Sequence, residues 1–193
     1  MRRSFAVAIA TLSLACAAPV LAQPAAPAAL VAAQKEALAP LSIMDGVWRG
    51  KGWSLDPATR TRHDVNQTER VGPLLGGAVK LIEGRGYGAD GSITFNAFAV
   101  VSYDPMKKTF TLSSWAMGRA GDFPLVPTAE GFIWTVPAGP TAVVRYTAVI
   151  KDGTWREIGE YVAEGQPPRQ IFEMNLKRVG DSSWPEAGAV PME

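Results

Sequence analysis

From Val47 to the neighbourhood of Val179 the chain is a succession of short runs in which apolar and polar side chains alternate, broken by Gly, Pro and Asp. Period-two alternation over short spans, rich in Val, Ile, Thr, Phe, Tyr and Trp, predicts β-strands rather than helices. The runs fall near 47–55, 62–71, 77–86, 92–103, 109–117, 121–126, 131–136, 142–151, 154–163 and 169–179, about ten strands in all. Asp90-Gly91, Asp104-Pro105 and Asp152-Gly153 lie between runs. Such pairs supply the turn conformations that tight hairpins need, so the strands should follow one another as an antiparallel meander. A flat sheet of that many strands would leave two unpaired edges, and closure into a barrel removes them. The expected fold is therefore all-β, a closed barrel preceded by one short helix over Leu30–Leu38 that Pro40 ends.

The same alternation selects the side chains that face inward. In the fourth run these are Ile93, Phe95, Ala97, Ala99, Val101 and Tyr103; in the eighth, Ala142, Val144, Tyr146, Ala148 and Ile150; in the last, Phe172, Met174 and Leu176, with Arg178 following in step. Inward alanines leave space that larger side chains would fill, which is how a barrel of this size acquires a ligand cavity. The second run groups His63, Val65, Gln67, Glu69 and Val71, and the third groups Val79, Leu81, Glu83 and Arg85, setting carboxyls among apolar neighbours. The ninth run has no clean apolar face. Turning Trp155, Glu157 and Tyr161 inward places a carboxyl between aromatics; the other choice leaves Glu157 outside, paired across strands with Arg145. The candidate ligand-binding set is thus Glu69, Glu83, Tyr103, Tyr146, Trp155, Glu157, Tyr161, Phe172 and Met174.

The N-terminus follows a different rule. Arg2 and Arg3 precede an apolar, alanine-rich stretch from Phe5 to Leu21 that closes on Val20-Leu21-Ala22, the layout of a signal peptide cleaved after Ala22, too short for a good membrane span. Arg2-Arg3-Ser4-Phe5 partly matches a twin-arginine signal and Cys16 a lipidation site, each with one mismatched neighbour, so general secretion to the periplasm or medium is the expected route. Domain boundaries follow: 1–22 signal, 23–40 linker and short helix, 41–180 barrel, 181–193 tail. No span is expected in the mature chain. Removal of the signal takes two arginines away and turns the formal charge from +1 to −1. Near-neutral charge gives no support for binding nucleic acid. Cys16 is the one cysteine and His63 the one histidine, so no metal site of Cys and His is expected and no acidic calcium loop is present.

His63 beside Asp64 resembles an acid–base pair, but neighbouring strand residues point to opposite faces and no Gly-x-Ser-x-Gly elbow offers a nucleophile. The glycines at 84, 86, 88 and 91 lie between strands with no helix after them, which argues against a phosphate cradle. The six tryptophans read as core and interface anchors before sugar platforms.

Gly46-Val47-Trp48-Arg49-Gly50-Lys51-Gly52 at the first strand and Asn175-Leu176-Lys177-Arg178 at the last resemble the calycin superfamily, to which lipocalins and nitrobindin-type barrels belong. The resemblance implies a calycin-like barrel in which Trp48 closes one end and Arg178 packs over its ring, a contact of about 0.5 to 2 kcal/mol. Leu74-Leu75-Gly76-Gly77, Ser102-Tyr103-Asp104, Trp155-Arg156-Glu157 and Phe172 to Arg178 are further similar to a bacterial secreted family of unknown function, from about Leu41 to Arg178. Nitrobindin holds haem through a late histidine; this chain has none after His63, so no cofactor is implied. The expected function is a secreted or periplasmic, non-enzymatic barrel binding a small, mostly apolar molecule. The alternatives are an enzyme working through Glu69, Glu83 or Glu157 with Tyr146, and an envelope structural or interaction module, for which a homodimer with a closed cavity would be the signature.

Overall fold

The computed structural model describes residues 26–188 and 190–192; the signal-peptide reading and Cys16 lie outside them. A helix, α1 (Pro27–Leu38), runs into a 3-10 segment over Ala39–Met44, and ten strands follow. They are β1 (Gly46–Leu55), β2 (Arg62–Leu74), β3 (Val79–Tyr87), β4 (Ile93–Asp104), β5 (Thr109–Ala116), β6 (Arg119–Thr128), β7 (Gly131–Pro137), β8 (Ala142–Lys151), β9 (Thr154–Ala163) and β10 (Arg169–Gly180). Each pairs antiparallel with its neighbours in sequence, and β10 pairs with β1, so the sheet is a closed barrel with no free edge. The tight turns expected at Asp90-Gly91 and Asp152-Gly153 are present, with positive φ at Gly91, Asp152 and Gly153. After Asp104 the chain instead turns through Lys108 at positive φ, with the Asp104 carboxylate accepting from the amides of Met106 and Lys107.

One end of the barrel is plugged. α1 and the 3-10 segment lie against β2, β3, β4, β7 and β8. They deliver Leu38, Leu41 and Met44 into a core with Trp48, Val71, Val101, Ile150 and Leu176. Trp48 is only 1% exposed. Its Nε1 donates to the Met44 carbonyl at 2.8 Å, satisfying the one polar atom of the indole. Its ring meets Trp155 edge-on at 5.6 Å. Lys80, 3% exposed, turns toward the same end and is neutralised by an ion pair with Asp45, just before β1.

Trp48 and Arg178 are register partners across the β1–β10 seam, but the stacking implied by the calycin resemblance does not form. The Arg178 guanidinium donates to the Asp45 carbonyl at 3.1 Å and pairs with Asp181. It lies across Gly46, where a Cβ would approach it to 2.8 Å. A register shift between Val47 and Trp48 accompanies this arrangement. Arginines sit instead over Trp53 (Arg62), Trp184 (Arg70) and Tyr161 (Arg169). The seam is closed by the ladder, and Trp48 by the plug.

Candidate functional site

The other end is open. Here the β1–β2, β3–β4, β5–β6, β7–β8 and β9–β10 turns ring the mouth of a cavity of about 830 Å³, large enough for a drug-sized molecule. Inward alternation creates the space. Ala97 and Ala99 on β4, Ala116 on β5 and Gly84 on β3 line it where larger residues would fill it.

Six aromatic side chains form its body. Trp134 on β7 and Tyr146 on β8 are register partners whose rings stack at 4.2 Å and 12°. Phe172 on β10 meets Tyr146 edge-on at 5.6 Å, and Phe123 on β6 meets Trp134 at 5.9 Å. Phe132 and Trp155 meet at 5.9 Å nearer the plug. Gly159 permits the Tyr146 position, since a Cβ there would stand 2.7 Å from the ring and 2.9 Å from Phe172.

Two carboxyls lie within this lining. Glu157 on β9 is 6% exposed, and both its oxygens are held: Oε1 accepts from Trp134 Nε1 at 2.9 Å and Oε2 from Trp155 Nε1 at 3.2 Å. Burial pushes its pKa above the usual carboxylate range, against those two hydrogen bonds. Glu69 on β2 is 8% exposed. Its Oε1 accepts from Gln67 Nε2 at 2.7 Å, while Oε2 receives no donor among the described residues. Burial pushes Glu69 up to about 8, opposed by the Gln67 bond and reinforced by the charges of Glu157 and Glu83. Gly84, opposite Glu69 in the ladder, gives its carboxyl room: a Cβ there would stand 2.8 Å from both oxygens. Burial, with the charge of Glu157, pushes the Tyr146 hydroxyl up to about 12, so it stays protonated. The remaining charged lining residue, Arg119, is exposed at the mouth.

Of the nine candidate ligand-binding residues, Glu69, Tyr146, Trp155, Glu157, Phe172 and Met174 line the cavity. Three do not. Glu83 is on the outer face, where it pairs with Arg70 at 2.6 Å and Arg85 at 2.5 Å. Burial works against ionisation there, but the bonds from Arg85 and Arg70 prevail and hold it below the usual carboxylate range. The inward residues of β3 are Lys80, Ile82 and Gly84, so the alternation of Val79, Leu81, Glu83 and Arg85 runs on the other face. The reason is an apolar outer surface. Arg70 lies under the Trp184 ring, Gly72 lies under the Trp184 carbonyl and Pro185, and Leu81, the register partner of Gly72, is buried too. Tyr103 is in step with the inward residues of β4 but sits toward the plug, against Phe110 at 4.8 Å, its carbonyl accepting from Gln34 of α1. Tyr161 lines a separate rim cleft with Pro167, Pro168 and Arg169. Arg145 pairs with Glu160 at 2.8 Å, so Glu157 has no such outer partner. His63 is exposed on β2 near the mouth.

Trp134, Phe132, Phe123 and Gln67 are lining residues that the candidate set lacked. Phe132, Trp134 and Val136 share one face of their run, and Gln67 stands between Val65 and Glu69, so the alternation carried that signal.

No protein-family model matches the chain, and no curated protein matches it. Among solved structures, the crystal structure of Rv2717c from M. tuberculosis is similar, with a TM-score of 0.55 and 15% identity over 74% of this chain and 96% of that one. The likeness supports the barrel fold. Among the described residues no helix is long and apolar enough to cross a membrane, and no group of three or more His, Cys, Asp or Glu side chains is placed to hold a metal ion.

Proposed function

We propose that this protein is a non-enzymatic carrier or receptor barrel that takes a small, mostly apolar molecule into its open end. The observation that carries the reading is the cavity itself, about 830 Å³ lined mainly by aromatic and aliphatic side chains with a few buried polar groups between them. That combination is what small-molecule sites use, apolar area for affinity and a few polar atoms for orientation. Export from the cytoplasm belongs to the same reading and rests on the residues before Gln23.

The test is titration with N-phenylnaphthylamine, an uncharged dye that brightens in apolar surroundings. Binding in a one-to-one ratio, lost in Ala97→Trp with the fold intact by circular dichroism, supports the reading. A dye that stays dark, or that brightens equally with Ala97→Trp, contradicts it. A second reading, acid–base catalysis, is favoured by one observation: a carboxyl, Glu69, buried in the cavity wall, where burial pushes it up to about 8. It predicts turnover lost in Glu69→Gln.

A further inference from the structure

The cavity's charge inventory is one-sided. Its charged lining residues are Glu69 and Glu157 in the interior and Arg119 at the solvated mouth, where water and salt screen it. Lys80, the buried cation near the plug, is already neutralised by Asp45. Glu157 has donors on both oxygens, whereas Glu69, more than nine-tenths buried, turns Oε2 to the cavity with no partner among the described residues. The neighbours of Glu69 do not supply one. Across β2–β3 it faces Gly84, its ladder partner on β1 is Trp48, and the titratable lining groups on β8 and β9 are Tyr146 and Glu157.

A buried carboxyl of this kind is expensive unless a positive partner or a proton meets it. Aromatic faces, negative at the centre of the ring, act in the same direction. An anionic ligand such as a fatty acid would bring a third carboxyl into the site. A neutral hydrocarbon would leave Oε2 unpaired. We propose that the cavity selects a hydrophobic organic cation, an amine or quaternary ammonium whose positive head meets Glu69 and whose apolar body lies on Trp134, Tyr146 and Phe172. This rests on the preceding reading that the cavity takes an apolar molecule, and adds the sign of its charge.

Proton bookkeeping gives the inference a signature of its own. The empty site holds Glu69 protonated at neutral pH, since burial favours the neutral acid. A bound cation favours the carboxylate, so its binding expels a proton to solvent, and a neutral ligand expels none.

The experiment compares phenylbutylammonium, phenylbutanol and phenylbutyrate, one skeleton with three head charges, by calorimetry near neutral pH in two buffers of different ionisation enthalpy. The ammonium compound should bind more tightly than the alcohol by roughly tenfold or more, as charge-assisted hydrogen bonds do, with proton release, and the butyrate most weakly. Glu69→Gln should erase the ammonium compound's advantage over the alcohol and abolish proton release, with an unaltered circular dichroism spectrum showing the barrel intact. If the alcohol binds as tightly as the ammonium compound, or Glu69→Gln leaves their ratio unaltered, the inference is overturned while the apolar-ligand reading stands. If none of the three binds and the neutral dye also fails, both are overturned.

Discussion

Glu69→Gln should stabilise the protein, and by more as the pH rises. Glu69 in the unfolded chain titrates near 4.5, while burial in the barrel carries it to about 8. The folded state therefore keeps a proton that the unfolded state has released. Stability from this group is fully present below about 4.5 and is lost progressively up to about 8. At about 1.4 kcal/mol per tenfold change in proton affinity, moving a carboxyl from 4.5 to about 8 amounts to a ceiling on the order of 5 kcal/mol, most of it already incurred at neutral pH. Glutamine has the same shape, carries no charge and retains an oxygen that can accept from Gln67. The variant should match the wild type near pH 4.5 and exceed it at pH 8 by about 2 to 4 kcal/mol once relaxation and water entry are allowed for. Urea unfolding at a series of pH values from 4.5 to 8.5 reads the difference directly. A difference that does not change with pH, or a variant less stable than wild type at pH 8, would refute the placement of Glu69 as a desolvated, cation-free carboxyl.

Other parts of the molecule give separate tests. Asp45→Asn leaves Lys80 buried without its partner and should lower unfolding free energy by about 2 to 4 kcal/mol in chemical denaturation, whereas Arg178→Ala, which removes a surface hydrogen bond and an exposed ion pair, should cost about 1 kcal/mol. If Arg178→Ala instead costs as much as Trp48→Ala, expected at about 3 to 5 kcal/mol, the guanidinium is sealing the barrel after all. Gly84→Ala places a methyl group against the Glu69 carboxyl and should destabilise by about 1 to 3 kcal/mol, a cost largely recovered in the Gly84→Ala/Glu69→Ala double variant; additive costs would contradict the contact. Gly159→Ala should disturb the Trp134–Tyr146 stack, seen as a changed near-ultraviolet circular dichroism spectrum with the far-ultraviolet spectrum unaltered.

The barrel was legible because both signals that specify it are local. Alternation over 142–151 and 154–163, with Asp152-Gly153 between them, predicts the bounds of β8 and β9 as the structure has them. Face selection succeeded where one face is the more continuously apolar, as in β4, β8 and β10. It failed in β3, where Leu81 on the outside and Ile82 on the inside are both withdrawn from water, so the pattern offers two phases of similar quality. Tyr103 and Tyr161 illustrate a different limit. Alternation tells which face a residue occupies but not its height along the barrel axis, which depends on strand stagger around the whole closed sheet. Tyr103 is therefore at the plug and Tyr161 at a rim cleft, although each is in step with cavity residues. The ion pair between Asp45 and Lys80 and the Trp134 hydrogen bond to Glu157 join residues distant in sequence, and no local pattern encodes them, whereas Trp155 beside Glu157 was already in the alternation of β9.

The central claim is that the barrel's interior is a binding site. Native mass spectrometry of protein purified from its own host, with extraction of whatever is released on unfolding, tests it most directly. The account predicts a one-to-one adduct of a small, mostly apolar molecule carrying a positive charge, retained by the wild type and absent from Ala97→Trp. Protein that flies at its bare mass under gentle conditions, together with a crystal structure in which side chains fill the space between Glu69 and Trp134, would contradict it.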